Sequence, residues 1–118
     1  MDPSQLADST RNAYETLLKP VFFALGPVGS GGDTSQGEIA LDHLLIDPRG
    51  AELFKLILEH GSREGKLYAL VGLRVLDRSA YLQAVSRFRD DQTPVVTMSG
   101  GMRGPFPMAD VIRQLEGW

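Results

Sequence analysis

The spacing of apolar residues predicts helices over most of the chain. At the start, Asp2-Pro3-Ser4-Gln5 combines an N-cap, a proline suited to the first turn and a capping glutamine. Apolar side chains then recur at intervals of three and four residues, and Pro20 is expected to end the helix near Lys19. The apolar positions of this first predicted helix are Leu6, Ala13, Tyr14, Leu17, Leu18 and Val21.

Short polar side chains that cap helix N-termini mark the later helix starts. Ser35-Gln36-Gly37-Glu38 fits the S-x-x-E capping box and predicts a short helix through Leu45. Asp47, Ser62 and Asp77 mark the starts of three successive helices, with Gly61 ending the first of them. Such short connections make successive helices antiparallel neighbours.

The middle helix of these three is predicted to lie at the centre of the fold. Its segment from Leu67 to Leu73 is apolar on every side, which is typical of a buried element. Periodicity alone does not separate a buried helix from a buried strand, but the caps and the length favour a helix. Gly72 would then let a neighbouring element approach closely.

Non-helical structure is predicted where glycine, proline and β-branched residues accumulate. Residues 26–33 and 99–107 are rich in glycine and proline and are expected to be flexible loops. Val95-Val96-Thr97-Met98 favours a short strand or extended segment. Met108 to Leu115 predicts a last short helix.

The stretch from 47 to 91 resembles HEAT-like helical repeats in its leucine and alanine spacing. An array of such repeats needs about three units to be stable, and no second copy follows at a fixed period. The fold class is therefore predicted as mostly all-α, either a small irregular helical bundle or HEAT-like helical hairpins. The residues that carry the resemblance are Leu53, Leu56, Leu58, Ala69, Leu70 and Leu73.

Composition narrows the class of protein. The 118 residues fit one domain, 1–118, and no apolar stretch approaches the roughly 20 residues that span a bilayer. A net charge of −3 disfavours a general nucleic-acid binder. The chain has no cysteine and shows no secretory leader at its N-terminus, which together predict a cytoplasmic location.

Charge is unevenly distributed and points to a partner surface. Residues 63–89 carry six basic and two acidic side chains, whereas residues 1–62 carry four basic and nine acidic ones. A basic surface of this kind suits an acidic protein partner. Methionine and phenylalanine in the loop after the β-prone segment suit adaptable binding. The predicted partner-binding residues are Arg74, Arg78, Arg87, Arg89, Met102 and Phe106, and Arg74 and Arg78 would share a face if one helix ran through Asp77.

Catalytic and cofactor motifs are weak. Ser99 follows the β-prone segment and precedes two glycines, so it is the best nucleophile candidate, with His43 or His60 as its base. The glycine-rich stretch around Ser30 lacks the lysine of a phosphate-binding loop. The two histidines match no compact metal-ligand spacing, so neither a metal nor a cofactor is expected.

The sequence therefore favours a non-catalytic module that binds a protein partner, as an adaptor, an inhibitor or an immunity-type protein. One alternative is a small enzyme with its site around Ser99 and a histidine. A second is a structural subunit of a homo-oligomer, anchored by Phe22, Phe23 and Trp118.

Overall fold

The computed structural model describes residues 6–20, 22–24, 27–28, 33–99 and 102–116, with the backbone alone at 27, 28, 33, 34, 99, 102 and 103. Within this part the chain is mostly helical, as predicted. The helices are α1 (Asp8–Leu18), α2 (Gln36–Leu45), α3 (Gly50–His60), α4 (Arg63–Leu76), α5 (Arg78–Val85) and α6 (Met108–Glu116), and the strands are β1 (Pro27–Val28), β2 (Asp33–Thr34), β3 (Pro94–Ser99) and β4 (Met102–Pro107).

Three of the predicted caps form in the structure. The Ser35 hydroxyl accepts from the Glu38 N–H at 3.1 Å, and the Ser62 hydroxyl accepts from the Gly65 N–H at 3.2 Å. Asp77 accepts from the Ala80 N–H at 3.1 Å. Each cap satisfies a donor that the first turn of a helix leaves free.

The predicted helix start at Asp47 is wrong, and, contrary to the prediction, the first helix does not include Leu6. Leu6 and Ala7 are not helical and α1 begins at Asp8, while the predicted start at 2–5 lies outside the described residues. Helix α3 begins at Gly50 with no side-chain cap. Asp47 instead accepts from the Arg49 N–H at 2.8 Å, inside the turn that precedes the helix. Its short carboxylate bonds the backbone two residues on, which stabilises the turn rather than the helix.

The core is built around α4, which contacts each of the other five described helices and β3. Leu67, Tyr68, Leu70 and Leu73 are fully buried, as the all-round apolar pattern predicts. Tyr68 also anchors the chain before β1. Its hydroxyl accepts from the Ala24 N–H at 2.9 Å, and its ring lies 4.8 Å from the ring of Phe23 between centroids.

The predicted loop over residues 99–107 is wrong for Met102–Pro107, which forms strand β4. It pairs with β3 in an antiparallel register that runs from Pro94↔Pro107 to Ser99↔Met102. The intervening sequence is Gly-Gly, which is a strong hairpin signal. The predicted loop at 26–33 likewise contains strand β1 and the first residue of its partner β2, Asp33, while residues 26 and 29–32 lie outside the described part.

On its other side, β3 is bonded to the segment at 22–24. The Phe23 N–H donates to Val96 at 2.8 Å and the Met98 N–H donates to Phe23 at 3.0 Å. Phe23 is 1% exposed, so this aromatic belongs to the core. In the described part of the chain, none of the helices is both long and apolar enough to cross a membrane.

Candidate functional site

Two of the predicted partner-binding arginines are engaged within the molecule. Arg74 donates to the Leu115 carbonyl at 2.7 Å, and its guanidinium carbon lies 5.9 Å from the centroid of the Tyr81 ring. Arg89 makes two hydrogen bonds to the Glu116 carboxylate, at 2.7 and 2.9 Å. These side chains attach the C-terminal turn of α6 to α4 and to the turn that follows α5.

Glu116 is the centre of this attachment. Its carboxylate also accepts from the Tyr81 hydroxyl at 2.5 Å. Hydrogen bonds from Arg89 and Tyr81 lower the pKa of Glu116 to about 2. Burial, together with the bond to Glu116, raises the pKa of Tyr81 to about 12. The cluster is a structural clamp, because its cations and its carboxylate already satisfy one another.

Arg74 and Arg78 do not share a face. Helix α4 ends at Leu76, and Asp77 caps a separate helix whose first residue is Arg78. Arg78 is exposed, whereas Arg74 is half-buried under α6. The expectation of one continuous basic face is therefore wrong at this turn.

Arg87 lies at a groove between α3 and α5. The groove has a volume of about 390 Å³ and is open to solvent. Helix α4 supplies Leu73, and the remaining lining comes from Lys55, Leu58, Glu59, Ala80, Gln83 and Ala84.

The groove exists because α3 and α5 both pack against α4, which lies between them. The alanines at 80 and 84 fall one turn apart on the side of α5 that faces the groove, and their small side chains leave the space open. Leu58 and Leu73 are buried beneath and form an apolar floor. The polar atoms of the lining belong to Lys55, Glu59, Gln83 and Arg87.

On the α5 side the rim carries Arg87, which lies in the 3-10 turn Ser86–Phe88 that follows the helix. From residue 78 to residue 89 the sequence carries three arginines and no acidic residue. Arg87 forms no salt bridge with any residue that the structure describes. On the α3 side, Lys55 lies 3.3 Å from Asp77, with half of its side chain exposed. The Ala80 N–H and then Lys55 lower the pKa of Asp77.

The two remaining predicted contact residues lie on β4. Phe106 is half-buried, pairs with Val95 across the hairpin and packs against the core. It is therefore a core residue rather than a mobile loop side chain. The side chain of Met102 lies outside the described residues.

The histidines occupy separate places. His60 ends α3 and lies 3.7 Å from Glu59. His43 lies in the last turn of α2, with Nε2 3.1 Å from the Thr10 hydroxyl, which itself donates to Asp47 at 2.8 Å. Thr10 is 6% exposed, so its hydroxyl is shielded from substrates and joins α1 to the α2–α3 turn. The side chain of Ser99 lies outside the described residues, and its pairing with a histidine stays a prediction.

Asp47 holds the other end of this connection. Burial alone would raise the pKa of its carboxyl. Hydrogen bonds from the Arg49 N–H and the Thr10 hydroxyl, with His43 nearby, lower the pKa below its usual value instead. The carboxylate is therefore held in its charged form at neutral pH.

Two further pockets lie along α1 and α2. One, near Phe22, measures about 340 Å³, and the other, near His43, measures about 190 Å³. The formal charges of the pocket near Phe22, Glu15 and Lys19, offset each other. Phe22 is half-buried there, Phe23 is in the core, and Trp118 lies outside the described part, so the anchor role predicted for Phe23 is wrong.

Comparisons with known proteins suggest no function, so a functional proposal has to rest on the groove. No protein-family model, no curated protein and no solved structure matches this chain. The described residues contain no group of three or more histidine, aspartate or glutamate side chains placed to hold a metal ion.

Of the polar groove residues, Arg87 was predicted from the sequence, whereas Lys55, Glu59 and Gln83 were not. The one available signal was the pair of alanines at 80 and 84, because two small residues one turn apart leave a helix face shallow. Which neighbouring helix flanks that face is set by tertiary packing and has no local signal.

Proposed function

We propose that the protein is a non-catalytic binding module, and that the α3–α5 groove receives an acidic segment of a partner protein. The observation that carries the proposal is the combination of an apolar floor with Lys55 and Arg87 on opposite walls. Partner surfaces commonly join a buried apolar centre to a charged rim. An adaptor, an inhibitor and an immunity-type protein would all use such a surface.

Arg87 is the side chain best placed to contribute to binding. It is exposed and free of salt bridges to the described residues, so a partner carboxylate would not have to displace an existing one. Its guanidinium favours paired hydrogen bonds to a carboxylate. Lys55 would exchange its exposed contact with Asp77 for the partner at little cost, since such surface pairs contribute roughly 0–1 kcal/mol.

Glu59 gives the groove direction. It lies on the same wall as Lys55, one turn further along α3. An acidic segment that reaches Lys55 and Arg87 must keep its carboxylates away from Glu59. This repulsion selects one orientation of the partner over the reverse.

The test is affinity capture from a lysate of the cells that make the protein, followed by mass spectrometry. We expect one stoichiometric partner to bind the wild type and to be lost from the double variant Lys55→Glu with Arg87→Glu. Arg49→Glu is the matched control, because Arg49 is also exposed but lies outside the groove. A partner that binds the double variant and the wild type equally would place the binding surface elsewhere.

A further inference from the structure

We infer that the segment seated in the α3–α5 groove is a helix rather than an extended strand. This inference rests on the proposed function and concerns the conformation of the partner segment. It follows from three features: the main chain of the groove walls, the spacing of the wall residues and the outer edge of the hairpin.

The groove offers a partner few main-chain hydrogen bonds. Seven of its eight lining residues lie within α3, α4 or α5, where the main chain bonds along the helix apart from the carbonyls of the last turn. Ala80, close to the start of α5, donates its N–H to Asp77. An extended segment would bury its own N–H and C=O groups here without partners, which is unfavourable. A helix satisfies its main chain internally and avoids this loss.

The wall residues also have the spacing of a helix-binding surface. On α5 the residues at 80, 83 and 84 face the groove, followed by 87 in the 3-10 turn after the helix, and on α3 those at 55, 58 and 59 do so. These intervals of three and four produce ridges that interdigitate with the ridges of another helix. The small side chains of Ala80 and Ala84 let the axis of that helix approach closely.

The free edge of the hairpin, on β4, disfavours the addition of a partner strand. The main-chain groups of Val96 and Met98 bond to Phe23. Those of Thr97, and of every second residue on either side of it, therefore point toward β4. The alternation places the main chain of Arg103, Pro105 and Pro107 on the outer edge of β4.

Two of those three outward positions are prolines, which have no N–H to donate. Only position 103 can therefore donate a hydrogen bond to an added strand. Prolines on an edge strand oppose such pairing. An extended partner thus finds satisfied main chain in the groove and a poor template on β4.

The test uses a displayed library of random peptides about 16 residues long, or roughly four helical turns. The immobilised full chain is the target, and the double variant Lys55→Glu with Arg87→Glu is used to remove peptides that bind elsewhere. Arg87→Glu alone is run in parallel, and the thermal melting of each variant checks its fold. We expect the selected peptides to be acidic, with apolar residues at intervals of three and four.

The strongest peptide is then synthesised with proline, or with alanine as control, at a central position that points away from the groove. Proline inside a helix costs about 3 kcal/mol more than alanine, so it should weaken the Kd about 100-fold relative to the alanine peptide.

The outcomes separate the two proposals. Peptides that need Lys55 and Arg87, yet have alternating apolar residues or tolerate the central proline, would overturn the helical occupant and leave the groove as the binding site. If no selected peptide distinguishes the wild type from the groove variants, the proposed function fails, and this inference fails with it.

Discussion

The ring of Phe54 lies against the main chain of Gly72 where α3 packs on α4. A Cβ at position 72 would lie 2.3 Å from two atoms of that ring, closer than real contacts allow. Phe54 is fully buried, which leaves its ring little room to move. Glycine at this position therefore permits the closest approach between the two helices.

Replacing this glycine is expected to separate α3 from α4. Gly72→Leu should destabilise the protein by about 1–3 kcal/mol or more, because the added side chain overpacks the core. The measurement is the midpoint of urea unfolding with the slope held fixed. Ser79→Leu adds the same side chain at an exposed position of α5 and is expected to have little effect. An unchanged midpoint for Gly72→Leu would contradict the close contact with Phe54.

The C-terminal clamp predicts a dependence of stability on pH. The pKa of Glu116 is lowered in the folded state to about 2, so its contribution is present above the ordinary pKa of about 4.5. The contribution is lost as the pH falls from there toward 2. Wild type should therefore lose more unfolding free energy between pH 6 and pH 2 than Glu116→Gln does, by roughly 1 kcal/mol for a partly exposed pair. Glu52→Gln, an exposed change on α3, should track the wild type.

Arg74 and Arg78 are expected to contribute differently to the stability of the protein. Arg74→Ala removes the hydrogen bond to the Leu115 carbonyl and should cost about 1–2 kcal/mol. Arg78→Ala changes an exposed side chain and should stay within about 0.5 kcal/mol of wild type. Thermal or urea unfolding of both variants gives the comparison. Equal losses would show that the contact of Arg74 with α6 contributes no stability.

Thr10 and Asp47 are expected to act as a coupled pair. The single variants Thr10→Val and Asp47→Ala each remove the bond between α1 and the α2–α3 turn. Their effects on the unfolding free energy should therefore not add, with a coupling of about 1–2 kcal/mol. A double-mutant cycle measures this directly. Additive losses would mean that the hydroxyl and the carboxylate stabilise the fold independently.

Reversing the charge of the groove should act on the rate of association with the captured partner. Lys55→Glu with Arg87→Glu should slow binding at low salt, and the difference should shrink as salt screens the charges. Surface plasmon resonance over a salt series records both effects, with Arg49→Glu as the matched control. Identical rates for all variants at low salt would exclude electrostatic attraction at the groove.

Local signals in the sequence predicted much of the helical fold. Ser35, Ser62 and Asp77 cap helices because a short polar side chain followed by a helical apolar pattern has few other uses. Asp47 carries the same signal but bonds within a turn, since an aspartate can satisfy either a turn or a helix start. The residues around the aspartate determine whether it stabilises a turn or a helix start.

Strand β4 of the hairpin was not predicted, for a different reason. Residues 102–107 hold one glycine and two prolines, which locally favours a loop. In the structure the prolines face away from β3 and the glycine at 104 has a φ of +107°, so none of them breaks the pairing. The pattern of alternate prolines fits an edge strand, and the Gly-Gly that precedes it in the sequence is a hairpin signal.

The site was less predictable than the fold. The charge imbalance around residues 63–89 was visible, yet Arg74 and Arg89 are occupied by α6, which lies more than twenty residues further along the chain. Lys55 and Arg87 meet across a groove because two helices flank a third. Sequence spacing fixes the face of each helix, whereas the pairing of those faces depends on the assembled core.

Helix α4 contacts every other α-helix that the structure describes. No group of these helices therefore has a complete hydrophobic core without α4. A chain divided at the turn around Asp77 would give one fragment with α1 to α4 and a second with α5, the hairpin and α6. Each fragment would leave part of the α4 contact surface uncovered, so neither should hold its structure alone. Mixed together, they should restore one folded molecule, which makes this turn a natural place to split the protein into a complementing pair.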